Sequence, residues 1–397
     1  MKEMAKAVWN WRILPSQILR DYRFHRRVKV AAPPLRRRLV EQAALLWTNR
    51  ITAKDYYKFG LFDPAMPRDV KRTYIGEFQP WKMLTPVNDP AFYDLTDDKL
   101  KFQKRALASG LPVPEILATL SAEGADLDVP NLDSAQALAE WMAANNIADV
   151  VFKPIGGLMG RGVISLGERV PETAAWRSLP DGRTLDAQAL WDHCQSQRRH
   201  GGMFVQRRVA PHPELARIAP NVLHTVRVVT FLDPQPRVID AVLRVGNGRV
   251  AADNMHSGGL AVPVDLATGR CGNGALVVDG LTQDLSHHPL TGARIADTVL
   301  PDWQQVLDLA VTAARTFDMQ RSLGWDIGLS DKGPVLLEGN WRYDLVLLEL
   351  AQHRGSLDSP WIDVFNDGGG YRHLSLGFSN RPRRRQSDPT APRRRSA

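Results

Sequence analysis

Apolar positions along the chain follow two different periods, and the change between them divides it. Up to about residue 60 they recur at helical spacing: Trp9, Trp11, Ile13, Leu14, Ile18, Leu19, Tyr22 and Phe24 are interleaved with arginines and lysines. Arg36-Arg37-Arg38 then leads into Leu39, Ala43, Ala44, Leu45, Leu46 and Trp47. This pattern predicts basic amphipathic helices. Thr52-Ala53-Lys54-Asp55 has the form of a capping box that opens a short helix through Tyr56, Tyr57 and Phe59. Lys71 to Leu95 is aromatic and proline-rich without a clear period, and reads as an ordered connection.

Beyond it, strand-like runs alternate with helical ones. Thr96 is expected to cap a helix from Asp97 to Ser109 that stops at Gly110. A strand is expected from Val113 to Leu120, a helix opened by Asp133 and Ser134, and a buried strand from Val150 to Pro154. A further strand runs from Val163 to Leu166, a helix from Leu185 to Gln197 and a strand from Met203 to Val209. Thr225 to Leu232 and Arg237 to Val245 are strands around an Asp-Pro-Gln-Pro turn. Leu260 to Leu266 is another, followed by a turn at Ala267 to Arg270. Pro301 to Phe317 is a helix, with proline at its start and apolar residues at Val306, Leu309, Ala310 and Ala313.

The last element carries the clearest chemistry. Trp325 to Leu329 and Pro334 to Leu337 flank Ser330-Asp331-Lys332-Gly333 as a hairpin. Asp326 and Glu338 then fall near the same end of the strand pair, and Asn340, two residues on, shares the face of Glu338. Two carboxylates and an amide oxygen at a sheet end suit Mg2+, a hard cation usually shared with nucleotide phosphates. A surface hairpin with solvated acids is the plainer alternative. Lys153 ends its strand just before Ile155-Gly156-Gly157-Leu158-Met159-Gly160-Arg161-Gly162. Such glycines let backbone amides approach an anion, and the lysine adds charge for phosphate. The segment is neither a Walker loop nor a dinucleotide fingerprint, and an ordinary glycine-rich turn is its competing reading. Arg227 and Arg244 stand in apolar runs, either snorkelling from an edge or facing a cleft to bind phosphate or carboxylate.

Composition changes this picture little. Charged residues at 24% and hydrophobic ones at 44% are ordinary for a globular chain of 397 residues, long enough for two or three domains. The net charge of +8 is concentrated at the end: Arg381 to Ala397 has seven arginines against Asp388, a net of +6, leaving +2 for the rest. This tail is expected to be disordered, and nucleic acid to bind only nonspecifically through it. Cys194 and Cys271 match no zinc spacing and are expected to be free thiols. No apolar run approaches the ~18 residues of a membrane span, so a cytoplasmic location is expected. Peripheral contact of the basic N-terminal helices with an anionic membrane is an alternative to their packing on their own domain.

The order of these pieces resembles the ATP-grasp superfamily from about Asp97 to Asn340, and within it the sugar-transfer-associated ATP-grasp family. The C-terminal half is also similar to ligases that add glutamate to a ribosomal protein or act in lysine biosynthesis. The resemblance rests on Arg227, Arg244, Asn254, Gly258-Gly259, Asp326, Glu338 and Asn340 occurring in that order. It implies an α+β ATP-grasp fold, in which two α+β subdomains grip ATP. Mg2+, with Mn2+ as an alternative, would be held by Asp326, Glu338 and Asn340. Lys153 and Gly156, Gly157, Gly160 and Gly162 would lie over the phosphates. Phe204 to Val209 would form the hinge that reads adenine, with Gln206, Val209 and Glu214 as nucleotide contacts. Lys104 or Lys101 would be a second phosphate lysine, and Arg244, Arg227 and Asn254 the catalytic set. The pattern departs at Thr225 and Ala252, where those ligases carry an acid and an arginine. The expected units are a helical N-terminal region 1–95, ATP-grasp parts 96–202 and 203–378, and the tail 379–397.

The activity implied is an ATP-dependent ligase that joins a small-molecule or peptide carboxylate to an amine or thiol through an acyl phosphate. The family's name associates it with surface-glycan synthesis, and secondary-metabolite synthesis is a further setting. A phosphotransferase acting on a hydroxyl, or a catalytically silent nucleotide-binding protein, are the alternatives. Neither substrate identity nor oligomeric state is legible in the sequence.

Overall fold

The computed structural model describes residues 19–28, 33–77, 83–122, 127–157, 160–171, 173–179, 181–220, 222–246, 258–358, 360–361 and 364–365. The expected tail and Asn254 lie outside these residues. So do the first eighteen residues, where part of the basic helical pattern falls.

The N-terminal region is helical, as its spacing predicts: α1 covers 19–27, α2 Leu35–Asn49 and α3 Ala53–Lys58. The capping box forms, with Thr52 Oγ1 accepting from the Asp55 amide and Asp55 from the Thr52 amide. Leu45, Tyr56, Tyr57, Phe59 and Tyr74 pack with Ala275, Val346 and Leu350, so this region is docked on the rest of the fold.

Helix α4 (Lys99–Ala108) starts two residues later than expected. Its cap is Asp98, whose carboxylate accepts from the Leu100 and Lys101 amides, while Thr96 belongs to a preceding turn and donates to the Tyr93 carbonyl. Strand β1 (Ile116–Leu120) also begins later than Val113. Pro114 cannot donate to a ladder, and its carbonyl is taken by the Gln103 and Gln206 side chains.

The first sheet has the order β2-β1-β7-β3-β4-β5-β6. Its strands are β1, β2 (Asn131–Leu132), β3 (Val150–Pro154), β4 (Ile164–Arg169), β5 (Ala175–Leu179), β6 (Thr184–Asp186) and β7 (Met203–Arg207). Helices α5 (Ala135–Ala144) and α6 (Ala187–Ser196) supply Leu138, Met142, Leu190 and Cys194 to its core against Phe152, Leu166 and Val205. Strand β7, inside the sheet, pairs antiparallel with β1 on one side and β3 on the other.

The second sheet has the order β12-β11-β10-β9-β8-β13-β14, every neighbouring pair antiparallel. It contains β8 (Thr225–Asp233), β9 (Gln235–Val245), β10 (Leu260–Pro263), β11 (Gly274–Val278), β12 (Leu281–Leu285), β13 (Ser322–Ser330) and β14 (Gly333–Asn340). Helix α7 (Trp303–Thr316) covers one face, packing Val306, Ala310 and Ala313 against Val226, Val228, Trp325 and Ile327. Helix α8 (Leu345–Gln352) covers the other, over Val229, Phe231, Ile239 and Val242. Burial on both faces makes β8 and β13 nearly continuous apolar runs, so a charged residue inside them must find a partner there.

Strands β2, β5, β6, β11 and β12 and helix α8 are additions to the elements read from the sequence. The β11–β12 hairpin had a usable signal, since Asp279-Gly280 is a two-residue turn with both residues left-handed (φ 51° and 81°).

Candidate active site

The hairpin read from the sequence forms, and its register aligns the charged residues. Asp326 on β13 pairs with Arg227 on β8 and with Glu338 on β14, so three charged side chains stand in one row across adjacent strands. Arg244 on β9 pairs with Thr225, two residues from Arg227 and therefore on the same face. Asn340 pairs with Gly324, one step along β13 on that face. Gly324 is needed there for space: a Cβ would lie 2.7 Å from the Tyr343 Cβ and 3.0 Å from the Arg227 Cδ.

Asp326 is 1% exposed, and its carboxylate is clamped by both arginines. Arg227 Nε donates to Oδ1 and Arg227 Nη2 to Oδ2 at 3.0 Å, a two-pronged contact, while Arg244 Nη1 lies 2.9 Å from Oδ2. Burial by itself would raise the Asp326 pKa, but the two guanidinium groups outweigh it and hold the carboxyl well below the usual carboxylate range. Neither arginine snorkels from an edge. Arg244 Nε also donates to Thr225 Oγ1 at 3.0 Å, so the residue that departs from the ligase pattern orients the arginine with a neutral acceptor.

The row can take a hard cation at one end. Glu338 and Asn340 are half-buried, and Asn340 Nδ2 donates to Glu338 Oε1 over 3.4 Å. Among the described residues no three His, Cys, Asp or Glu side chains are placed to hold a metal, and the expected set contains only two of these types. The donor chemistry fits Mg2+ at Glu338 and Asn340, with Asp326 shared between the arginines and that end of the row. The charges of Arg227, Arg244, Asp326 and Glu338 cancel, so the acids do not form a self-repelling cluster.

On the first sheet, Lys153 is half-buried and its Nζ donates to Gln206 Oε1 at 2.8 Å. Gln206, on β7, is buried and its amide also donates to the Pro114 carbonyl. Its side chain is thus committed to holding the lysine. After Lys153 the chain turns back at Gly156, whose amide donates to the His200 carbonyl at 2.8 Å. Gly162 is left-handed (φ 78°), with a Gln197 oxygen 2.7 Å from where a Cβ would be, and its carbonyl is 2.8 Å from His193 Nε2. Gly157 and Gly160 lie in the same turn, and 158–159 fall outside the described residues.

The sequence reading missed Lys99. It is the first residue of α4, and its Nζ donates to the Gly157 carbonyl at 3.0 Å, while its amide donates to the Ile155 carbonyl at 3.2 Å. Lys101 instead pairs with Asp94 at 2.6 Å, both more than half exposed, and Lys104 is on the exposed side of α4. The capping aspartate was the available signal, because correct placement of Asp98 puts the next residue at the helix head facing the glycine turn.

Strand β7 ends at Arg207, and 208–212 cross to the second sheet, where Pro211 bridges Ser330 and the His212 amide donates to the Leu329 carbonyl. Val209 lies in this link, half-buried, and Glu214 is exposed on the single turn Pro213–Ala216. Gly258-Gly259 directly precedes β10.

A family model described as sugar-transfer associated ATP-grasp matches residues 81–359. Similar solved structures include the ATP-grasp ligase PsnB complexed with a minimal precursor, at 18% identity and a TM-score of 0.37, covering 71% of this chain and 64% of that one. VanG D-Ala:D-Ser ligase from Enterococcus faecalis is 13% identical with a TM-score of 0.39, covering 69% of this chain and 61% of that one. A biotin carboxylase from Campylobacter jejuni is 12% identical with a TM-score of 0.39, covering 70% and 47%. The chain thus spans less than two thirds of the length of these proteins. No curated protein matches it.

Proposed function

The chain belongs to the sugar-transfer associated ATP-grasp family, and from that membership we propose that it is an ATP- and Mg2+-dependent ligase forming an amide through an acyl phosphate. The observation that carries the proposal is the opposition of two chemistries. On the second sheet the Arg227-Asp326-Glu338 row is charge-balanced by Arg244; the first sheet, joined to it by the 208–212 link, carries a glycine turn flanked by Lys99 and Lys153.

In this reading Lys153 and Lys99 hold the nucleotide phosphates, and the link at Val209 and Gln206's neighbourhood borders the base. Bound Mg2+ would neutralise the transferring phosphoryl group from Glu338 and Asn340. A substrate carboxylate oxygen attacks the γ-phosphorus as the bond to the ADP oxygen breaks, giving an acyl phosphate and ADP. Arg244, oriented by Thr225, faces that phosphate. An amine then attacks the acyl carbon, inorganic phosphate leaves with the C–O bonding electrons, and the amine loses a proton. Arg227 fixes Asp326 and through it the row. Positioning and electrostatic stabilisation carry most of the acceleration in such transfers.

The test begins with Lys153→Ala, whose lost ammonium should weaken ATP binding in calorimetry while the nucleotide-free protein still melts as a folded chain, somewhat lower because Gln206 Oε1 loses its donor. Unchanged ATP affinity removes the nucleotide site. Hydroxylamine then separates reaction classes, because it captures an acyl phosphate as a hydroxamate and leaves a phosphate ester untouched. ATP consumption without hydroxamate would favour the phosphotransferase.

A further inference from the structure

Helix α2 is amphipathic twice over. Its inward face buries Gln42, Leu45 and Asn49, at spacings of three and four. Its outward face carries Val40, Ala43, Ala44 and Trp47, again at helical spacing, with Val40 66% and Trp47 49% exposed. An outward stripe that ends in an exposed tryptophan needs a partner more than scattered surface apolar residues do.

The charge around the stripe says which partner. Helices α1 and α2 contain two acids, and both are turned inward: Asp21 is buried and accepts from Gln42 Nε2 at 2.9 Å, and Glu41 accepts from Tyr56 Oη at 2.6 Å and Lys71 Nζ at 2.9 Å. Arg38 also turns inward, donating to the Tyr57 hydroxyl and the Pro33 carbonyl. The exposed ionic groups of the two helices are then Arg20, Arg23, Arg26, Arg27, Arg36 and Arg37. Leu19 and Tyr22, 49% and 40% exposed, accompany those of α1.

We propose that this outer face of α1 and α2 seats on an anionic phospholipid surface. Arg36 and Arg37 stand one turn before Val40, and Trp47 lies two turns beyond it, so the helix offers cations at one end and an interfacial aromatic at the other. Lying in the interface plane, α2 needs only about 10 Å between Val40 and Trp47 to bury both at the acyl boundary. A symmetric contact with a second copy would set arginine against arginine and is disfavoured by the same charges. Nucleic acid would satisfy the arginines but leave Val40 and Trp47 without an apolar partner. The inner face of α2 meanwhile enters, through Leu45, the core cluster that holds Tyr57 of α3, Ala275 of β11 and Val346 and Leu350 of α8, so the same helix joins the fold and meets the surface.

The experiment is co-sedimentation of the full chain with vesicles of phosphatidylcholine alone and of phosphatidylcholine with phosphatidylglycerol. The wild type, Trp47→Asp with Val40→Asp, and Arg36→Gln with Arg37→Gln are compared. Binding should require phosphatidylglycerol. Each lost arginine should lower partitioning about fivefold near such a surface. The aspartate pair should abolish the binding that survives high salt, because the arginine tail can contribute only a salt-screened attraction. Unchanged melting temperatures establish that both variants fold, as expected for exposed positions. Equal partitioning of wild type and both variants overturns the proposal in favour of the tail, and so does absence of binding by the wild type. A wild-type dimer in light scattering that the aspartate pair converts to monomer assigns the face to self-association and also overturns it.

Discussion

Replacing Asp326 by asparagine isolates the energetic role of the buried row. The change is isosteric, but it leaves Arg227 and Arg244 around a neutral side chain, and the local charge moves from balance to one uncompensated positive unit at a site 1% exposed. Breaking a buried ion pair from one side costs roughly 3–5 kcal/mol, because the remaining charge stays desolvated. In a unit of this size that corresponds to a fall of about 10 °C in the melting temperature. Glu338→Gln also removes one negative charge, but from a half-buried position, where the loss should stay under about 1 kcal/mol. Since the arginines already balance the acids, no stabilisation from relieved repulsion is expected in that variant. The pH dependence has a definite sign: the Asp326 pKa is depressed on folding, so its contribution is present above the ordinary carboxylate range and is lost as pH falls through the folded value. The gap between wild type and Asp326→Asn should therefore be full at pH 7 and close in strong acid. Nucleotide-free scanning calorimetry measures both variants, and repetition with Mg-ATP should show Glu338→Gln losing most of the ligand-induced rise. Equal destabilisation by the two substitutions, or none by Asp326→Asn, would refute the assignment of Asp326 to the frame and Glu338 to the ligand.

Glu349, fully buried on α8, accepts from the Ile75 and Ser356 amides, and burial raises its pKa well above the ordinary value despite those hydrogen bonds. The unfolded carboxyl then ionises first as pH rises, so wild-type stability should fall relative to Glu349→Gln from about pH 4 upwards until the folded group titrates, read as melting temperatures at pH 5 and pH 8. Burial pushes the thiols of Cys194 and Cys271 up to about 12, so neither should react with a thiol reagent at pH 8 until the protein is denatured, and stoichiometric labelling of the native chain would contradict their placement. Gly202 has φ 97° and two carbonyl oxygens, those of Leu120 and Ser121, 2.7 Å from the position of a Cβ. Gly202→Ala should accordingly cost about 3 kcal/mol or more, since backbone must move, and a melting temperature within 2 °C of wild type, about 1 kcal/mol or less, would count against that close approach.

What could be read in the sequence followed local physics. The Ser330–Gly333 turn and the apolar runs beside it were enough to fix the β13–β14 pairing as far as Ile327 with Leu336, whereas the alignment of Asp326 with Glu338 depends on a bulge at Leu337 that no local pattern announced. Lys153 at a strand end before glycines was legible for the same reason. Arg227 and Arg244 were visible as anomalies within apolar runs, but their shared partner lies on β13, 99 and 82 residues further on (326 − 227 and 326 − 244), and no local period reports such a pairing. The α4 cap was misplaced because Thr96 and Asp98 are both good caps, and only Asp98 has its carboxylate over the Leu100 and Lys101 amides. That two-residue error moved attention from Lys99 to Lys101 and Lys104. Strands β5, β6 and β12 were missed because they are short, partly exposed and near sheet edges, where alternation is weak.

The distribution of charge suggests an order of events at the site. The row on the second sheet is balanced before any ligand arrives, so it can fold without metal and hold Arg244 and Glu338 in register. The amine of Lys99 is different: its Nζ donates to a neutral acceptor, the Gly157 carbonyl. A phosphate gains most from a cation held by a neutral acceptor, because that contact is exchanged without separating a buried ion pair. In the proposed reading, nucleotide phosphates should therefore settle first on Lys99 and the glycine turn. In the same reading, a metal held by Glu338 and Asn340 and sharing Asp326 would be what changes the balance of the arginine row. Arg244 meets Asp326 through Nη1, whereas Arg227 makes a two-pronged contact with it. In the proposed reading, Arg244 would meet the transferred phosphoryl group while Arg227 keeps Asp326 in place.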